Sequence, residues 1–229
     1  MLAGNIRPGR GISRSSPPVT GVVLAGGRSL RLGREKALEK IEGQSLIKRT
    51  IERLPSACRE VIIVTSAGQY GSISVALPEY RIVADTYPGR GPLGGMYTGL
   101  LSSDTRHSLV VACDMPLLNR DLLQYLVSLA PGYDAVVPML NGLTEPLHAV
   151  YSKDCKGVIE RLLNGGRLGV SGLFNMVKTR YVRDEEVNGF DSGHQSLFNI
   201  NTVEDLAKAM TLLRHEEKAA SGQKVGSRD

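Results

Sequence analysis

The sequence has no tryptophan, 5% aromatic residues, four histidines and three cysteines. Each shortage excludes something. Few aromatic rings leave little to build a base-stacking platform, so the formal net charge of +5 does not point to a nucleic-acid partner. A smaller anionic ligand suits that charge better. Cys58, Cys113 and Cys155 show no CxxC spacing, which argues against a zinc knuckle or a disulfide framework and for a reducing, cytoplasmic setting. No run of about 18 apolar residues occurs, so no membrane span is expected. The opening MLAGNIRPGRGISRSSPP lacks the apolar stretch of a secretory signal and reads as a disordered basic arm over residues 1–18. The closing EEKAASGQKVGSRD reads as a frayed tail over residues 216–229. Between them, residues 19–215 form the one expected domain.

What is present alternates strands with helices. Val22 to Leu24, Val61 to Val64, Arg81 to Ala84 and Leu109 to Cys113 read as short strands, mostly apolar as when both faces of a sheet are covered. Ser45 is placed to cap a helix carrying Ile47, Ile51 and Leu54, and Asn119 a helix carrying Leu122, Leu123, Leu126 and Leu129. A helix is also expected near Met96 to Leu101, and another from Lys153 to Leu163 that stops at Asn164-Gly165-Gly166. Ala135 to Leu140, the Asn141-Gly142 turn and a return strand through His148 to Tyr151 predict one antiparallel pair. A last strand near Phe198 to Ile200 leads to Asn201-Thr202, a cap for Val203 to Leu213. The order implies an α/β fold: a doubly wound, mostly parallel sheet with helices on both faces and one antiparallel hairpin, Rossmann-like in its layering. Ligands of such sheets bind beyond the carboxyl ends of the strands, at a topological switch point.

Four strand ends carry unusual residues. Ala25-Gly26-Gly27 opens a loop holding Arg28, Arg31, Arg34 and Lys36. Asp85 follows the third strand and precedes a glycine-rich turn, Asp114 follows the fourth, and Asn199 and Asn201 lie in and after the last. Glycines let backbone N–H groups approach a ligand, and with Lys and Arg they favour phosphates. A strand-end aspartate can hold Mg²⁺, which usually bridges substrate phosphates. Basic loop and acidic strand end together read as a nucleoside triphosphate with Mg²⁺. Singly, the arginines suit a solvated loop, either aspartate suits a turn or cap, and Asn201 suits a helix N-cap. The loop is no Walker A motif, because the spacing from Gly27 to Gly33 is one residue too long and Arg34 stands where Lys is required. Gly89, Gly91 and Gly94 fit GxGxxG, with Asp114 at the distance of a ribose-binding acid. That is the NAD-dependent oxidoreductase alternative, although Pro92 interrupts the turn and Lys36 is left unused. His107 and His194 are expected at the surface and His215 at the end of the last helix; His148 either faces the crevice or is structural. No Ser-His-Asp or Cys-His arrangement follows from the spacing.

LAGGRSLRLGREKAL, VADTYPGRGPLGGMYTGL, VVACDMPLL, EPLHAVY and FNINTVEDL, in this order over roughly Thr20 to Met210, resemble the molybdenum cofactor guanylyltransferases, a branch of the nucleotidyltransferases. The resemblance implies that Leu24, Ala25, Gly26, Gly27 and Gly94 contact a guanine nucleotide, that Lys36 binds its phosphates with Arg31 assisting, and that Asp85 lies near the guanosine. It implies that Asp114 coordinates Mg²⁺ and that Arg167, Asn199 and Asn201 serve the acceptor. The implied substrates are GTP and molybdopterin, with a molybdoenzyme or chaperone receiving the product. The LAGG form and the GPLGG segment point to GTP rather than CTP. Departures from the pattern are Leu32 for Met, VTSAG where some relatives carry Asn (so that Ser66 or Thr65 would substitute), and Glu145-Pro146 for His-Pro. A sibling transferase using CTP or a sugar phosphate, and a non-catalytic binding module, remain the other readings.

Overall fold

The computed structural model describes residues 17–26 and 35–225, the side chains as far as residue 216. In chain order its elements are β1 (Val19–Leu24), β2 (Lys40–Ile41), β3 (Gln44–Ser45), α1 (Leu46–Glu52), β4 (Cys58–Thr65), α2 (Tyr70–Ala76), β5 (Arg81–Ala84) and α3 (Gly91–Ser102). There follow β6 (His107–Ala112), α4 (Arg120–Ser128), β7 (Ala135–Leu140), β8 (Leu143–Thr144), β9 (His148–Ser152) and α5 (Lys156–Asn164). The chain continues through α6 (Ser171–Phe174), β10 (Thr179–Arg183), α7 (Asp184–Asn188) and α8 (Val203–Val225).

Eight strands make one sheet in the order β10-β7-β9-β6-β1-β4-β5, with β8 added to β7. All neighbours on the path are parallel except β9, which runs against both β6 and β7. The central strands β1 and β6 are almost wholly buried. The edge strands β5 and β10 are more exposed and carry Arg81, Arg180 and Arg183, charges that discourage pairing with another chain.

Side chains alternate between two cores. On one face Val23, Ile63 and Leu109 meet Ile47 and Ile51 of α1, Ile73 of α2 and Leu122 and Leu126 of α4. On the other Val22, Ile62 and Val110 meet Leu93, Met96 and Leu100 of α3 and Ile159 and Leu162 of α5. Helix α8 closes a third cluster through Ala209 and Leu213, against Ile41, Leu46 and Ile200. Each such aliphatic side chain contributes on the order of 1.5–3 kcal/mol by leaving water.

The short linker between β7 and β8 forms as its sequence dictates. Asn141 and Gly142 both take positive φ, 50° and 79°, and Leu140 faces Leu143 across a two-residue turn. Asn119 caps α4, its side chain accepting from the Leu122 N–H at 2.9 Å. Ser45 precedes α1 without a side-chain cap bond.

The expected strand at Phe198 to Ile200 is absent. That segment follows a single 3-10 turn and makes one bond to the site, from the Ile200 N–H to the Asp114 carbonyl at 3.0 Å. It lies beyond the end of β6, where no strand continues for it to pair with. Helix α8 runs on to Val225 rather than ending near Leu213. His107 is buried, not exposed, with Nε2 3.2 Å from the Tyr133 carbonyl. His148 is fully buried, Nε2 3.5 Å from Ser196 Oγ, and Nδ1 has no partner among the described residues. Burial depresses its pKa to about 3.

Two outcomes follow. Helix α3 presses on β1 at Gly99, where an added Cβ would collide with Val22 Cγ1 inside the core. Gly99→Ala should therefore lower stability by about 1–3 kcal/mol in urea unfolding, despite the better helix propensity of Ala. His148, neutral when folded, binds a proton more readily once unfolded. Its contribution is intact above pH 6.5 and is lost as pH falls toward 3. Between pH 7.5 and pH 5 the protein should lose about 2 kcal/mol more stability than a His148→Gln variant, measured by denaturant titration at each pH.

Candidate active site

The sheet path reverses at β1. Strands β4 and β5 are laid down on one side of it, and the chain then returns to place β6 on the other. At the carboxyl ends of β1 and β6 this opens a cleft of about 910 Å³. Backbone bonds tie its walls together: Cys113 N–H to the Leu24 carbonyl at 3.1 Å, Ala25 N–H to Val64 at 2.7 Å, and Asp85 N–H to Thr65 at 2.8 Å. Below Asp114, Thr50 Oγ1 of α1 donates to the Cys113 carbonyl at 3.2 Å.

The centre of the cleft is charged. Lys36 Nζ lies 2.5 Å from Asp114 Oδ2 and donates to Asn201 Oδ1 at 3.0 Å. Lys36 is only 8% exposed, so its ammonium is held by these partners rather than by water. Asp114 Oδ1 is buried and has no hydrogen-bond partner among the described residues. A buried carboxylate oxygen left open in this way suits a hard cation. Among the described residues no group of three or more acidic, His or Cys side chains gathers. Mg²⁺ commonly takes one or two carboxylates and completes its shell with water and phosphate oxygens, which the Asp114 carboxylate beside an open cleft would suit.

Asp85 lines the same cleft, and its Oδ1 accepts from the Tyr87 N–H at 2.9 Å and Thr98 Oγ1 at 3.0 Å. It therefore shapes its own turn while facing the ligand space. Gly94 supports that turn: a Cβ there would lie 2.7 Å from the Tyr87 carbonyl oxygen and 3.3 Å from Asp85 Oδ2. The ligand-facing glycines of this segment are Gly89, Gly91 and Gly95, with Pro88 and Pro92. Leu24 and Gly26 also line the cleft, Leu24 lying 3.3 Å from where a Cβ on Gly95 would stand. Ala25 is buried behind it.

Asn201 reaches the cleft, and capping falls to its neighbour. Thr202 Oγ1 accepts from the Asp205 N–H at 3.1 Å, and Asp205 Oδ2 accepts from the N–H groups of Asn201 and Thr202 at 2.8 and 2.9 Å. Asn199 is turned elsewhere, donating to the Leu197 carbonyl at 3.3 Å. Arg167 is exposed on a loop that borders the start of α3, where the Leu168 carbonyl would lie 3.8 Å from a Cβ on Gly91. Gly27, Arg28, Arg31 and Arg34 lie outside the described residues. Thr65 and Ser66, named above in place of an Asn contact, both line the cleft. The buried Thr65 Oγ1 has no partner among the described residues. Leu147 also lines the cleft and was not anticipated; its apolar neighbours were the one hint of it.

The topology bears on the GxGxxG turn. It follows β5, an edge strand, and Asp114 ends β6, which β4 and β1 separate from β5. A dinucleotide fold sets its glycine turn at the centre and its ribose acid on the next strand.

Comparison with known proteins agrees with this geometry. Residues 21–180 match the model of the MobA-like NTP transferase domain. The chain is 37% identical over 193 residues to a probable molybdenum cofactor guanylyltransferase of Pelotomaculum thermopropionicum, covering 84% of this chain and 92% of that one. It is 33% identical over 200 residues to the molybdenum cofactor guanylyltransferase of Desulfosudis oleivorans, covering 86% and 96%. The crystal structure of the molybdopterin-guanine dinucleotide biosynthesis protein A from Archaeoglobus fulgidus superposes with a TM-score of 0.75 at 26% identity, over 86% of this chain and all of that one. With this likeness along most of its length, the chain, whose cleft lies at the sheet reversal, belongs to the MobA-like NTP transferase family.

Proposed function

We propose that this nucleotidyltransferase acts in molybdenum cofactor synthesis, moving GMP from GTP to the terminal phosphate of molybdopterin with Mg²⁺ and releasing pyrophosphate. The observation that carries this is the Lys36–Asp114–Asn201 cluster at the switch point, a buried cation paired with a half-buried carboxylate and facing an open cleft lined by glycines. The guanine and pterin assignments draw on the named relatives. The catalytic unit is residues 19–215, and the three free cysteines suit a cytoplasmic location.

In this reading Gly26 and Leu24, with Gly27 beyond the described residues, flank the nucleotide, and Asp85 and the Gly89 to Gly95 segment border its guanosine. Asp114 would hold the Mg²⁺ ion, which supplies charge neutralisation at the α-phosphate. Lys36, with Arg31 assisting, neutralises the β- and γ-phosphates. A phosphate oxygen of the acceptor forms the new bond to the α-phosphorus. The bond from that phosphorus to the β-bridging oxygen breaks, and pyrophosphate leaves with its electron pair. The attacking phosphate monoester has a second pKa of about 6 and is already largely ionised at neutral pH, so no general base is needed. Catalysis rests on alignment and charge stabilisation. Arg167 and Asn199 are assigned to the acceptor side, Asn201 to the junction of acceptor and metal.

Pyrophosphate release measured with GTP, CTP and ATP, each with and without molybdopterin, tests the reading. Only the GTP and molybdopterin pair should turn over. Release with CTP, or with a sugar phosphate, would replace the guanine or pterin assignment. Asp114→Ala should fold and lose on the order of 10²-fold or more in kcat/KM. Near-normal turnover at saturating Mg²⁺ would overturn the metal assignment. Lys36→Ala should weaken GTP binding and lower kcat/KM by a similar order, read by isothermal titration and steady-state kinetics.

A further inference from the structure

Lys36 is asked to do two things that one side chain cannot do at once. As the phosphate-binding cation it must reach the nucleotide, yet its Nζ is bonded to Asp114 and Asn201 inside the cleft. Asp114 is also the residue proposed to hold the metal. Its ammonium-bound Oδ2 and its open Oδ1 belong to one carboxylate.

The charges decide what can enter. Among the described residues the ammonium and the carboxylate neutralise each other, and no group of three or more acidic, His or Cys side chains forms around them. A divalent cation arriving alone would meet an ammonium on Asp114, the carboxylate proposed to receive it. A triphosphate arriving alone would draw the ammonium away and leave the Asp114 carboxylate, whose Oδ1 is buried, unpaired beside its own negative charge, a costly state. Arrival of both satisfies every group: ammonium to phosphate, carboxylate to metal. Asn201 fixes where the ammonium waits. Its backbone is pinned by the bonds to Asp205 and by the neighbouring Ile200 N–H on the Asp114 carbonyl, so its Oδ1 is a fixed acceptor.

We propose that Lys36 acts as a built-in counter-cation on Asp114, so that divalent metal and nucleotide bind as one coupled event, with Asn201 as the positioning residue that parks the ammonium between the two. This rests on the reading of Asp114 and Lys36 as the metal and phosphate residues.

Mn²⁺ serves as the probe, its binding to the full chain followed by electron paramagnetic resonance. Without nucleotide the unaltered protein should bind Mn²⁺ weakly, and a non-hydrolysable GTP analogue should raise that affinity by about tenfold or more. By linkage, Mn²⁺ should raise the affinity for the analogue by the same factor. Lys36→Met should bind Mn²⁺ without nucleotide about tenfold more tightly than the unaltered protein, while Lys36→Arg, which keeps the cation, should not. Asn201→Ala should give a smaller gain in the same direction; a merely structural role would lower stability and leave the Mn²⁺ affinity unmoved. Equal Mn²⁺ affinity of the unaltered protein and Lys36→Met overturns the proposal. Should Lys36→Met fail to fold, an unmoved Asn201→Ala overturns it equally. Coupling seen with a CTP analogue and not with the GTP analogue upholds the clamp and overturns the guanine reading, whereas coupling with neither overturns the clamp.

Discussion

The ion pair between Lys36 and Asp114 joins parts of the chain that the sequence keeps far apart. The two residues are 78 positions distant, and Asn201, on the same ammonium, is 165 positions from Lys36. A pair this buried persists because each charge removes the cost of the other; taking either away strands its partner in a poor solvent for charge. The surrounding bonds serve that constraint. Strand β6 is held level with β1 through Cys113 and Leu24, Thr50 steadies the turn from below, and Ile200 reaches over to the Asp114 carbonyl. The sheet reversal is thus the device that lets a lysine after one strand meet an aspartate after another.

The sheet's central part is legible from the amino acids because central strands must be apolar on both sides. Val22 to Leu24 and Val61 to Val64 fall inside β1 and β4 as their composition suggests, and Asn141-Gly142 turns as that pair demands. Strand β10, TRYVR, escapes such a reading because it is an edge strand whose charges point to solvent. Phe198 to Ile200 misleads in the other direction: its flanking Phe and Ile look β-prone, but it pairs with no strand among the described residues. His107 looks polar and exposed in one dimension, and is buried because the Tyr133 carbonyl happens to lie within reach.

The site divides in the same way. Residue types at strand ends reveal Asp85 and Asp114, since a charge directly after an apolar strand has few places to go. The direction of a side chain is a different matter. Asn201 sits where a cap belongs, and only the placement of Thr202 and Asp205 frees it to face the lysine. Gly94 belongs to a glycine-rich segment, but it is there for the Tyr87 carbonyl, while Gly91 and Gly95 face the cleft. Periodicity and spacing cannot separate those roles, because both depend on how closely α3 approaches the turn before it.

The reversed strand β9 has an evolutionary meaning. Because it runs against β6, the segment entering it arrives at the cleft end of the sheet, and Leu147 lines the cleft at a strand's beginning rather than its end. That segment follows the β7–β8 hairpin, whose tip is exposed at Leu143 and held by a two-residue turn. Residues added or removed there change the border of the cleft without touching the ladder between β1 and β6. The glycine-lined wall and its charged centre are built into the sheet and are costly to alter. The stretch after the hairpin meets the cleft at Leu147, so that part of the border can change while the charged centre beside it stays as it is.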